Sequence, residues 1–178
     1  MRADAQRNLD LVLGAAQECF AEGGIDVSID EVARRAGVGH GTVFRRFPTK
    51  EALLDAVLGK ELDRMVVFAE AGLAADDPWG GFAEFFRAAA DSYSRNRALH
   101  ESKERCHELP QMRVIEQAAH ELVRRAQKAG ALRDDLSAEE IGELVPVASR
   151  YPDVILDGLR GQAGMRRLRP EAGAVVRR

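Results

Sequence analysis

The chain has 178 residues, 46% of them apolar, and a formal net charge of −3. That supply of apolar side chains suffices for a packed core and excludes wholesale disorder. Cys19 and Cys106 are too few for a disulfide framework and read as reduced thiols. No run approaches the roughly 18 apolar residues of a membrane span, and the polar stretch Met1–Asp10 lacks the apolar core of a secretory signal, so a cytoplasmic protein is expected.

In chain order, the first predicted helix covers about residues 6–22, with Leu9, Val12, Ala16, Cys19 and Phe20 on one apolar stripe. Gly23-Gly24 stops it. Ser28 and Glu31 have capping-box spacing and open a short helix that ends at Gly37. A second short helix, about 40–46, offers Val43, Phe44 and Phe47 to the core. Pro48 breaks the chain, and Thr49 caps a long helix from Lys50 to about Ala74. The inner face of that helix is Leu53, Leu54, Val57, Leu58, Leu62 and Met65.

Asp77-Pro78 pairs a cap with proline at the first helical position and opens a helix carrying Trp79, Phe82, Phe85, Phe86 and Tyr93. One further helical stretch is predicted over about 97–108. Another runs from Pro110 to about Ala129, closed by Gly130. Ser137 and Glu140 form a second capping box, ahead of a helix that Pro146 kinks or shortens. A last short helix covers about 152–160. No strand pattern is evident, so the fold class is all-α. Three regions are expected: a helical head over 1–48, a larger helical domain over 49–164, and a flexible tail over 165–178.

Charge is unevenly spread. Val32–Lys50 holds no acid but carries Arg34, Arg35, Arg45, Arg46 and Lys50, a charge of +5, which leaves −8 on the rest of the chain. A basic island on an acidic chain is the footprint of a local phosphate contact. It coincides with two short helices joined by Gly37-Val38-Gly39, a helix-turn-helix pattern. Gly37 suits a backbone unfavourable to residues with a Cβ, and Val38 plugs the gap between the helices. Gly39 and Gly41 let the backbone approach a duplex. Arg45 has the reach to pair with guanine in the major groove. Thr42 and Arg46 suit phosphate oxygens, as does Lys50 at the free amides of the next helix.

At Ile29–Leu53, and most clearly in Ala36-Gly37-Val38-Gly39-His40-Gly41-Thr42-Val43-Phe44-Arg45-Arg46-Phe47-Pro48-Thr49-Lys50, the sequence resembles the DNA-binding signature of the TetR family of transcriptional regulators. A weaker likeness continues over Ala126–Asp135. The resemblance implies a three-helix, helix-turn-helix head over 1–48, a helical effector-binding and dimerisation domain over 49–164, a homodimer built on the last two helices, and a repressor released from a palindromic operator by a small-molecule effector. It implies backbone-phosphate contacts at Thr42, Phe44 and Lys50, and together with the exposed residues of the motif the expected DNA contacts are Ser28, His40, Gly41, Thr42, Phe44, Arg45, Arg46 and Lys50. Phe44 stands where many members have Tyr, which removes one hydroxyl contact to phosphate and is the sole support for an alternative, an effector-binding protein of the same fold without DNA binding. Arg46 stands where His is frequent and offers a phosphate contact instead.

Other chemistry finds little support. The glycines of Gly37–Thr42 lack the preceding strand and the lysine ending of a phosphate-binding loop. Serine-hydrolase, zinc-protease and paired-cysteine motifs are absent from the sequence, so neither an enzyme nor a cofactor is expected. His100, Glu104, Cys106, His107 and Glu108 fit a solvated helix face better than a metal site. Trp79, Phe82, Phe86, Tyr93 and Met112 are candidates to line an apolar effector pocket.

Overall fold

A computed structural model describes residues 2–161, so the predicted tail over 165–178 lies outside the described residues. The described chain is helical: α1 (Arg2–Gly23), α2 (Ile29–Ala36), α3 (His40–Arg46), α4 (Lys50–Ala74), α5 (Pro78–Arg95), α6 (Arg97–Glu101), α7 (Lys103–Glu108), α8 (Pro110–Lys128), α9 (Ala138–Gly142), α10 (Val145–Ala148) and α11 (Pro152–Leu159), with a 3-10 turn at Gly24–Asp26. The all-α expectation holds. A single isolated bridge, between Leu132 and Arg160, is the closest approach to a strand among the described residues.

Two compact units divide the chain. Among the described residues, the first takes the chain through Val67 together with Asp91–Ile115, and the second takes Phe68–Ala90 and the residues from Glu116 to Gly161.

The core of the first unit is built on the predicted α1 stripe, with Val12, Ala16, Cys19 and Phe20 all buried. Val32 and Ala33 of α2, Val43 of α3, and Leu53, Val57 and Leu58 of α4 join it, as do Ala98 and Cys106. Burial of the valine, leucine and phenylalanine side chains stabilises by about 1.5–3 kcal/mol each, which helps fix α2, α3, α6 and α7, short helices that have little stability alone. The predicted inner face of α4 is buried at every position from Leu53 to Met65.

In the second unit the aromatic face of α5 is buried: Trp79, Phe82, Phe85 and Phe86, with Leu122, Leu132, Ile141, Leu156 and Leu159. Gly72 of α4 and Gly81 of α5 let two backbones touch. A Cβ on Gly81 would stand 2.3 Å from the Gly72 carbonyl oxygen, and one on Gly72 would stand 2.7 Å from that of Gly81. The end of α4 is closed by Arg125, whose guanidinium donates to the Leu73 carbonyl and, at 2.9 Å, to that of Ala75.

Three predicted details change. The stretch 97–108 is two helices, because Ser102 at φ −122° and ψ 31° leaves helical geometry between α6 and α7. The helix opened by Ser137 stops at Gly142, and Pro146 sits in the first turn of a separate helix, α10, where its missing N–H costs nothing. Phe44 is 51% exposed, so α3 gives the core Val43 and Phe47 but not Phe44.

Candidate nucleic-acid interface

Local chemistry fixes the helix pair. Ser28 Oγ accepts from the Glu31 N–H at 3.2 Å and caps α2. The reciprocal bond from Glu31, which would complete a capping box, is not made. Gly37 closes α2 at φ 67° and ψ 28°, its N–H donating to the Arg34 carbonyl, while the Val38 N–H returns to Ala33 at 3.0 Å. This left-handed closure, which favours glycine, turns the chain within Gly37-Val38-Gly39 and starts α3 at His40. Val38 packs on the core, as the plug role requires. Beyond Phe47, Thr49 Oγ1 caps α4 by accepting from the Ala52 N–H at 3.1 Å.

The outer surface of α3 carries His40, Gly41, Phe44, Arg45 and Arg46, all exposed, with Thr42 and Lys50 half-buried beside them. Ser28 is exposed at the start of α2. The predicted DNA-contact residues therefore lie on α3, at the cap of α2 and at the first residue of α4.

Each cation is held differently. The Arg45 guanidinium lies along its own helix, Nε donating to the Gly41 carbonyl at 3.1 Å and Nη2 to Thr42 Oγ1 at 3.5 Å. Arg46 lies over the Phe47 ring, 6.0 Å from its centroid. Arg35 is turned back to α1, donating to Glu22 at 2.9 Å. The Glu22 bond is also the first cause that raises the already high pKa of Arg35. Arg35 therefore joins α2 to α1 and is taken out of the basic face.

Sequence reasoning missed Asp30. Its Oδ1 lies 2.6 Å from His40 Nδ1, tying the first turn of α2 to the first residue of α3. The His40 ring then stacks against Phe44, centroids 6.1 Å apart and planes 17° from parallel. Two residues ten apart on different helices carry no periodic signal. Glu61 was also missed, although a signal existed: it falls on the buried stripe of α4 beside Leu54, Val57, Leu58 and Leu62. It is 5% exposed. Ser92 donates to its carboxylate at 2.7 Å, Arg64 at 3.1 Å and Gln17 at 3.4 Å.

The five candidate effector residues fall in both units. Trp79, Phe82 and Phe86 form a tilted ladder in the second, with successive centroids 5.7 and 5.8 Å apart. In the first unit Tyr93 stacks on His100 at 3.7 Å, and Met112 packs against the core. His100 also donates to the Tyr93 carbonyl. Cys106 is buried, and burial pushes its thiol pKa up. Among the described residues no three His, Cys, Asp or Glu side chains come together as a metal site, and no helix is long and apolar enough to cross a membrane.

A compact head with a capped helix-turn-helix and a basic outer face, continued by a helical second unit, is the build of a helix-turn-helix transcriptional regulator. The sequence profile described as "Bacterial regulatory proteins, tetR family" matches residues 12–57, and that described as "Transcriptional regulator SbtR-like, C-terminal domain" matches residues 77–161. The crystal structure of a TetR transcription regulatory protein from Mycobacterium vanbaalenii is 38% identical, with 89% of this chain and 98% of that one covered at a TM-score of 0.61. A TetR transcriptional regulator from Streptomyces coelicolor is 28% identical over 86% of this chain and 98% of its own, also at a TM-score of 0.61. An HTH-type transcriptional regulator of Staphylococcus aureus (strain MRSA252) is 35% identical over 81 residues, 44% of this chain and 42% of that protein, so the match spans about two fifths of this curated relative's length. The chain belongs to the TetR family of transcriptional regulators.

Proposed function

We propose that two copies of this chain set their α3 helices in successive major grooves of a palindromic operator and repress transcription until a small molecule releases them. The observation that carries this reading is the composition of the α3 face. His40, Phe44, Arg45 and Arg46 are exposed together, in a segment with five cations and no acid. The glycines add support. A Cβ at Gly39 or Gly41 would meet nothing within 4 Å, and neither residue has a positive φ. Gly39 suits its place as the N-cap of α3, but the fold itself has no need of glycine at Gly41, inside the helix, where it costs about 1 kcal/mol against alanine. A duplex backbone lying against α3 explains the choice.

Within this reading Arg45 leaves Gly41 and Thr42 to read a guanine. Thr42, Arg46 and Lys50 hold phosphates, and Asp30 sets the His40 ring. Ser28 adds a hydroxyl at the edge of the footprint. Val147, Tyr151 and Val154, spaced by four and three residues and 58%, 60% and 68% exposed, support a second copy docking on α10 and α11. The aromatic ladder of α5 supports an apolar effector. Its binding shifts α4, whose first turn carries Lys50, and so alters the spacing of the two α3 helices. The effector acts only through its different affinity for the two states. An electrophoretic shift with DNA from the chain's own promoter region tests DNA binding. A retarded band that Arg45→Ala weakens is expected; no band at micromolar protein contradicts the reading and favours the effector-binding alternative.

A further inference from the structure

A cleft of about 460 Å³ opens in the first unit between the 3-10 turn, the first turns of α4 and the α6–α7 junction, and shares Lys50 with the candidate DNA interface. Five carboxylates line it, Asp26, Glu51, Glu101, Glu104 and Glu108, against two cations, Lys50 and Arg105. Arg105 is already engaged, donating to Asp55 at 2.7 Å. Glu101 is engaged too, accepting from the Ile25 N–H at 2.8 Å and from Arg97 at 2.6 Å, and so it braces the cleft wall. Asp26, Glu104 and Glu108 make no hydrogen bond or ion pair with another described residue.

An independent observation comes from Ser102. It is 6% exposed and lines the cleft, yet its hydroxyl does not cap α7 and has no other partner among the described residues. The hydroxyl oxygen is not among the sealed, unpartnered polar atoms, which are Gln111 Oε1 and Arg160 Nε. The opening left to it is the cleft. The Ser102 hydroxyl is therefore a polar group on an otherwise buried residue, and its partner, water or ligand, must come from the cleft.

We propose that this cleft binds a linear polyamine, an organic cation with several ammonium groups along an extended chain. Every free group in the wall except Lys50 accepts hydrogen bonds, so the ligand is a donor and a cation. Among the described residues no three acidic or imidazole side chains converge as a metal site. A single divalent ion therefore cannot satisfy them, whereas ammonium groups several ångströms apart reach Asp26, Ser102, Glu104 and Glu108 in turn. The volume falls within the ordinary range of small-molecule sites, about 300–1,000 Å³.

The test uses the full chain without DNA, so its failure is separate from failure of the operator reading. Spermidine is titrated calorimetrically at about 150 mM salt, where diffuse attraction is screened beyond roughly 8 Å. One spermidine per chain is expected. The double variant E104Q/E108Q weakens binding by about tenfold, as does Asp26→Asn on a different element, while E84Q/E143Q, which removes the same charge in the second unit, leaves it unchanged. Equal loss in all three variants, full binding in E104Q/E108Q, or equal occupancy by magnesium at matched charge overturns the proposal.

Discussion

Asp30 and His40 are joined at 2.6 Å across the helix-turn-helix, so the residue that opens α3 is anchored in the first turn of α2. Both side chains are more than half exposed, and the pair adds little to stability. Its effect lies in orientation, because it sets the ring that stacks on Phe44 at the outer face. Asp30→Ala is expected to lower operator affinity three- to fivefold, about 0.6–1 kcal/mol, with a melting temperature within about 2 °C of the parent. Fluorescence anisotropy with labelled operator measures this; unchanged affinity contradicts the orienting role.

Lys50 and Arg45 are expected to fail differently. Lys50→Ala removes a phosphate contact, so affinity falls about equally for all sequences and the salt slope drops by about one. Arg45→Ala costs about 1–3 kcal/mol at one base pair and relaxes preference there. Titrations on operator and scrambled DNA at several salt concentrations separate the two. An Arg45→Ala protein with intact sequence preference contradicts the base-reading role.

The head was legible because its signals are local. Gly37 must take a left-handed backbone, Pro48 must end α3, and Thr49 must cap α4, whatever the rest of the chain does. The apolar stripe of α4 is likewise written in its spacing. What escaped depended on tertiary contacts. Helical periodicity runs through Ser102 without a break, so the split into α6 and α7 left no mark. Phe44 looks like core by type, but α3 is too short to bury it along with Val43 and Phe47. The Asp30–His40 contact exists only once two helices are in place. The cleft residues come from three separate stretches of chain, each unremarkable alone.

Glu61 is expected to matter for stability. It is buried and accepts from Ser92, Arg64 and Gln17. Glu61→Ala leaves the buried ends of that network without an acceptor, at a cost of about 2 kcal/mol and about 4–8 °C in melting temperature. Arg64 is largely exposed and returns to water, which keeps the cost below that of a fully buried ion pair. Thermal unfolding followed by circular dichroism reports it; a shift under about 1 °C contradicts the network's role.

In the second unit His120 Nε2 lies 2.7 Å from Glu139 Oε1. This hydrogen bond, first among several causes, lowers the Glu139 pKa from 4.5 to about 2. A carboxyl with a depressed folded pKa contributes stability in full above its unfolded value and loses it as pH falls toward the folded one. The contribution is therefore complete above about pH 4.5 and gone near pH 2. His120→Ala is expected to flatten the fall in stability over that window, seen by urea unfolding at pH 5 and pH 3. An unchanged pH dependence contradicts the pairing.

Selection of bound duplexes from a random DNA pool bears most directly on the account. The parent chain is expected to enrich a two-fold symmetric motif whose half-sites lie about one helical turn apart, and Arg45→Ala to blur one position in each half-site. Recovery of no motif, or of one without symmetry, contradicts two α3 helices reading one operator.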